Sequence, residues 1–85
     1  LDDAAIRYEA SLERDPGRPD LHAKLGTVYT LRGKRPDAER ELRAAVAADP
    51  SNGELLANLS NLLVANGKPA EAVTFAERAI ALRES

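Results

Sequence analysis

The sequence predicts an all-α fold, a helix-turn-helix repeat solenoid of five antiparallel helices, and three observations predict it. The chain repeats itself with a period of 34 residues: Asp15-Pro16 returns as Asp49-Pro50, and Gly33-Lys34 returns as Gly67-Lys68. Leu21/Leu55, Ala23/Ala57, Leu25/Leu59, Ala38/Ala72, Ala45/Ala79 and Ala47/Ala81 share that offset. Self-similarity at a period of this length marks stacked supersecondary units. Between the proline and glycine breaks, apolar residues recur at helical spacing. The composition agrees: alanine and charged residues abound while Tyr8, Tyr29 and Phe75 are the only aromatics. That mixture suits amphipathic helices packed through small side chains and lacks the β-branched and aromatic residues a sheet wants.

Each helix has its own signals. The first is predicted over roughly Asp2 to Arg14, with Asp2 and Asp3 in the turn where the helix dipole favours negative charge. Ala5, Tyr8 and Leu12 form its apolar stripe, and Asp15-Pro16-Gly17-Arg18-Pro19 breaks it. The second starts near Pro19, where the missing N–H of proline costs nothing, and carries Leu21, Leu25, Val28 and Tyr29 up to a glycine C-cap at Gly33. The third opens near Pro36 and carries Ala38, Leu42, Ala45 and Val46 until Asp49-Pro50-Ser51-Asn52-Gly53. The fourth spans about Glu54 to Asn66 with Leu55, Leu56, Leu59, Leu62 and Leu63. The fifth spans about Ala70 to Arg83 with Ala72, Val73, Ala76, Ala79 and Ile80. Loops this short force antiparallel neighbours, so a lone helix precedes two helical hairpins.

Eighty-five residues make one small domain with a thin stability margin. The absence of cysteine excludes disulfides and thiolate metal sites and is compatible with any compartment. A formal net charge of −2 argues against a nucleic-acid footprint, and no apolar run approaches the roughly 18 residues of a membrane span. Leu1 in place of a methionine reads as a processed or excised piece. No nucleophile–base arrangement, P-loop or dinucleotide-binding glycine motif is present, so neither catalysis nor a cofactor is expected. The single histidine, His22, has no cysteine or clearly spaced carboxylate beside it, so no metal site is expected, and it is read as half-packed. Glu39-Arg40-Glu41-Arg43 is read as a solvated charged face.

In order along one unit, Leu25, Gly26, Tyr29, Gly33, Ala38, Leu42, Ala45 and Pro50 resemble the tetratricopeptide repeat, whose period is 34 residues. His22 stands where that pattern has tryptophan, and Leu42 where it has phenylalanine. The second unit follows more loosely through Leu56, Leu59, Ser60, Leu63, Gly67, Ala72, Ala76 and Ala79, with Ser60 for the glycine and Glu84 for the proline. The first helix matches only the second half of a unit, at Ala4, Tyr8, Ser11 and Pro16. The resemblance divides the chain into residues 1–18, an incomplete repeat, and repeats 19–52 and 53–85. Gly26 and Ala45 are expected where the two helices of one unit cross closely, with Tyr29 and Leu42 filling the adjacent space.

The resemblance implies a scaffold that binds a protein or an extended peptide in a concave groove lined by the first helix of each pair. On that face stand Asp20, Lys24, Thr27, Leu31 and Lys34, matched by Glu54, Asn58, Asn61, Ala65 and Lys68. Asn58 and Asn61 are the sharpest candidates, because an amide donates and accepts and so grips a peptide backbone without reading its sequence. Lys24, Lys34 and Lys68 favour a ligand bearing a carboxylate. The chain ends suggest an alternative: with no helix after the fifth, Val73, Phe75, Ile80 and Leu82 are expected to form an exposed apolar strip for homo-oligomer assembly. A third reading is an accessory segment of a larger multidomain enzyme.

Overall fold

The computed structural model describes residues 2–84, with side chains from residue 6 onward, so the predicted place of Ala4 and Ala5 lies outside the described residues. Five helices follow one another: α1 (Asp2–Arg14), α2 (Pro19–Leu31), α3 (Arg35–Ala48), α4 (Gly53–Ala65) and α5 (Pro69–Glu84). α2 packs chiefly on α3 and α4 on α5; α1 leans on α2, and α3 joins the two hairpins by packing on α4. The body measures 37 × 26 × 14 Å. Its thinnest dimension fits two helix layers about 10 Å apart, so every helix keeps a surface face.

The helix boundaries have local causes. α2 and α4 end on Gly33 and Gly67 at φ 75° and 78°. In each, the amide two residues beyond the cap reaches back to the helix: Lys34 N donates to Tyr29 O and Lys68 N to Leu63 O, both at 2.8 Å. This closure requires a left-handed residue, which glycine adopts without a side-chain clash. α4 begins one residue earlier than predicted because the Asn52 side chain caps it, accepting from Leu55 N at 3.2 Å.

The core runs through both hairpins. Leu25, Leu56, Leu59 and Leu63 are its largest fully buried side chains. Leu21, Tyr29, Leu42, Val46, Leu55 and Leu62 are buried with them, and Tyr8, Leu12, Val28 and Phe75 close the edge. Gly26 explains the close approach of α2 to α3: a Cβ built there would lie 3.0 Å from Leu42 Cγ and 3.5 Å from the Ala38 carbonyl. Its counterpart Ser60 is buried and donates to the Ala72 carbonyl at 2.9 Å. The glycine therefore abuts Ala38 and Leu42; Ala45, expected at this crossing, is fully buried in the core cluster.

Two expectations need correction, and a third residue, His22, has partners that local spacing does not show. Of the charged stretch of α3 only Arg40 is exposed as expected; Glu39, Glu41 and Arg43 are drawn into packing. Glu39 is buried and accepts from Lys68 Nζ at 2.8 Å, Asn66 Nδ2 at 2.9 Å and Arg43 Nε at 3.0 Å. Asn66 and Lys68 arrive from the α4–α5 turn, so the pairing is invisible to local spacing. Lys68 and then Asn66 hold the Glu39 carboxyl down at about 2, against the opposing pull of burial. Arg43 extends the network to Glu71 on α5.

His22 also finds a distant carboxylate. Nδ1 lies 2.8 Å from Glu41 Oε1 and Nε2 2.8 Å from the Pro16 carbonyl, so the half-buried ring ties the α1–α2 loop to α3. Burial lowers its pKa, but the bonds to Glu41 and Pro16 outweigh burial and leave it raised. Both partners only accept, and only the imidazolium donates from both nitrogens. Above this latch, Tyr29 donates to Glu9 of α1 at 2.7 Å, and that bond followed by burial pushes the phenol up to about 12.

The expected apolar strip on α5 is two separate faces. Val73 and Ile80 are 56% and 52% exposed on one side. Phe75 and Leu82 lie about 200° further round, since two residues of helix turn by that much. Phe75 is half-buried against the core with the Arg78 guanidinium 5.5 Å above its ring. Val73 and Ile80, also read as part of the buried stripe of α5, leave burial there to Ala72 and Ala79.

Candidate functional site

α2 and α4 each bury a leucine stripe, and this determines what they expose. Asp20, Lys24, Thr27 and Leu31 are spaced by four, three and four residues, as are Glu54, Asn58, Asn61 and Ala65. That spacing keeps each set within a narrow stripe of its helix. All eight residues are exposed. They line one trough between α2 and α4, built from two adjoining hollows that share Thr27 and Asn58.

The hollow near the helix starts is walled by Pro19, Asp20, Lys24, Asp49, Asn52, Glu54 and Asn58. The other, with a cavity of about 430 Å³, is walled by Thr27, Thr30, Leu31, Arg35, Asn58, Asn61 and Ala65, with Leu42 and Leu62 behind. Volumes of this order accommodate small ligands or individual side chains.

The polar groups of the trough differ in what they have left to offer. Thr27 and Thr30 donate their hydroxyls to the helix carbonyls of Ala23 and Gly26, at 3.1 and 2.8 Å, and present only lone pairs. The amides of Asn58 and Asn61 have no hydrogen-bond partner among the described residues and are exposed. Lys24 rests its ammonium 5.9 Å over the Tyr8 ring of α1. Asp20 is held by Arg18 through two bonds of 3.1 and 2.7 Å. That pairing raises Arg18 and lowers Asp20.

The predicted lysines do not all reach this site. Lys68 is bound to Glu39 on α3, and neither Lys34 nor Lys68 lines the trough. The cation that sequence reasoning missed is Arg35, the first residue of α3, which flanks Leu31. Its position beside a glycine-ended turn was legible; its turn toward α2 and α4 rather than outward was not. Leu31 is 83% exposed beside it.

Comparison with known proteins fits this architecture. A family model described as Tetratricopeptide repeat matches residues 32–83. The peroxisomal targeting signal receptor of Kluyveromyces lactis is 33% identical over 60 residues, covering 71% of this chain and 11% of the receptor. The receptor of the same name from Candida albicans is 31% identical over 83 residues, covering 98% of this chain and 14% of the receptor. The chain thus spans only a small part of these relatives. Among solved structures, MamA AMB-1 superposes with a TM-score of 0.84 at 19% identity, over 92% of this chain and 43% of that one. MamA MSR-1 gives 0.77, also at 19% identity, over 92% and 49%. Period, hairpin geometry, glycine-ended turns and family match converge: the chain belongs to the tetratricopeptide repeat family.

Proposed function

We propose that this chain is a protein-binding scaffold whose trough between α2 and α4 holds an extended peptide by its backbone. One observation carries the reading. Asn58 and Asn61 stand one turn apart on the trough wall, exposed and without hydrogen-bond partners among the described residues. Each amide supplies two donors and an acceptor, the complement of a peptide's own groups. Relatives named as receptors for a targeting signal support a recognition role. No catalysis is assigned to this segment.

Replacing both Asn58 and Asn61 by alanine is expected to weaken binding of peptides selected from a positional-scanning library. Losing two such contacts at about 1 kcal/mol each gives roughly thirty-fold, measured by fluorescence anisotropy. Helicity by circular dichroism should stay unchanged, because both side chains are exposed. Undiminished affinity in the double variant rejects the trough as the site.

A second reading is assembly of copies through the outer face of the α4–α5 hairpin. There, Ala57, Ser60, Ala76, Ala79 and Ile80 line a shallow hollow. Shifted by 34 residues, the corresponding residues include Gly26, Leu42, Ala45 and Val46, buried in the core that α4 completes. The outer face is thus shaped for an α4-like helix. Ile80→Glu is expected to abolish any rise of solution mass with concentration, read by sedimentation. A wild-type chain that stays monomeric at high concentration rejects this reading.

A further inference from the structure

The charged side chains that line the trough are Asp20, Lys24, Arg35, Asp49 and Glu54. Three are already engaged: Asp20 with Arg18, Lys24 with the Tyr8 ring, and Asp49 with the Asn52 amide at 3.2 Å. The side chains of Arg35 and Glu54 have no partner among the described residues and are both exposed. They lie in different hollows, Glu54 at the start of α4 and Arg35 beside Leu31 and Ala65 at its end.

Resting on the peptide-holding reading above, we propose that the trough selects an extended segment by charge register. A basic side chain of the ligand pairs with Glu54, and an acidic side chain next to an apolar residue pairs with Arg35. The apolar residue sits on Leu31 and Ala65, over Leu42 and Leu62.

The chemistry of each end argues for this occupant. The Arg35 hollow contains no carboxylate among its lining residues, so its guanidinium meets no competing anion. A guanidinium binds a carboxylate through two parallel N–H donors, which gives orientation as well as attraction. The apolar surface around it lowers the local dielectric and strengthens the pairing. At the other end, Glu54 is the carboxylate without a partner among the described residues, and it accepts from an ammonium or guanidinium. Glu54 and Ala65 are eleven residues apart in α4, about 16 Å along its axis at 1.5 Å per residue. An extended chain covers about 3.3 Å per residue, so the two ligand charges stand roughly five residues apart. Asn58 and Asn61 lie between and hold the intervening backbone. Charges at this spacing set the register of a ligand whose backbone alone would slide.

The test uses fluorescein-labelled decapeptides, acetylated and amidated at their ends, read by anisotropy against the whole chain. Each carries one Lys and one Leu-Glu pair five residues apart in a Ser-Ala background, in both chain orders, with a Ser-substituted control. The expected result is at least ten-fold tighter binding of one order than of the control. Reversing both charges, Arg35→Glu with Glu54→Lys, should switch the preference to the opposite order. Both positions are exposed, so melting should be little changed. Equal binding of both orders, or an order preference that survives the reversal, overturns the charge register. If the peptides nevertheless lose affinity in the Asn58→Ala/Asn61→Ala variant, peptide holding stands and only the register falls. Absence of binding, or binding indifferent to the asparagines, overturns both. A free C-terminus that binds better than an internal glutamate overturns the side-chain assignment at Arg35.

Discussion

Replacing Glu39 by glutamine is expected to lower stability by about 2 kcal/mol at neutral pH, within the usual range for hydrogen bonds to a buried charged group. In a domain of this size that is a fall of roughly 10 °C in melting temperature. The carboxylate accepts from three side chains on two elements and is buried, whereas its partners Lys68 and Arg43 are partly exposed. Removing the charge therefore leaves cations that water still reaches, and the cost stays below that of stranding a fully buried ion. The amide of Asn66 points its nitrogen at Glu39; the reverse orientation would set its oxygen against the carboxylate. The pH dependence separates this charge effect from packing. The Glu39 carboxyl is held at about 2 when folded against an ordinary 4.5. Where the folded pKa is depressed, the unfolded state binds more protons, so stability rises with pH through that window. The contribution is fully present above about pH 5 and fades as pH falls toward 2. Melting of wild type and Glu39→Gln across pH 2–7 should show a gap that is widest at neutral pH and narrows in acid. A gap of constant size would mean that the ionised carboxylate is not its source.

The pattern of apolar residues made the helices and the buried leucines of α2 and α4 readable, because helical periodicity and glycine-ended turns are local properties. Leu21, Leu25 and Tyr29 are buried as spaced, as are all five α4 leucines. The trough residues were equally legible in position, since a face opposite a leucine stripe must be exposed. What local spacing hides is who meets whom across the repeat. Glu39 and Glu41 look like solvated helix residues until the α4–α5 turn and His22 are brought to them. Lys68 looks like a trough cation until the same packing engages it, and Arg35 takes that place at the trough. α5 was the least legible helix because its alanines bury as readily as its larger residues; Ala72 and Ala79 face inward while Val73 and Ile80 face out. Position in the fold, not hydrophobicity, decides between them.

Substituting leucine for Gly26 is expected to overpack the α2–α3 crossing at a cost of about 1–3 kcal/mol. The first methylene alone meets Leu42 Cγ at 3.0 Å and Cδ2 at 3.3 Å. The second hairpin shows how the same crossing takes a larger residue. One period on, Gly26 becomes Ser60 and Leu42 becomes Ala76, while Ala38 becomes Ala72, whose carbonyl receives the Ser60 hydroxyl at 2.9 Å. The two units divide one space in opposite ways, small with large in the first and larger with small in the second. Transplanting the second solution tests whether the crossing is a shared design. Gly26→Ser alone should destabilise, because the Leu42 branch occupies the space, although serine is the better helix former. Leu42→Ala alone should cost about 2–5 kcal/mol through the cavity it leaves. In the double variant the hydroxyl enters the vacated space and can donate to Ala38 O, so the combined loss should fall short of the sum by about 1 kcal/mol. Urea denaturation of the three variants measures that coupling directly. Strict additivity would show that Gly26 and Leu42 do not share the space, and that Ser60 and Ala76 arose from separate constraints.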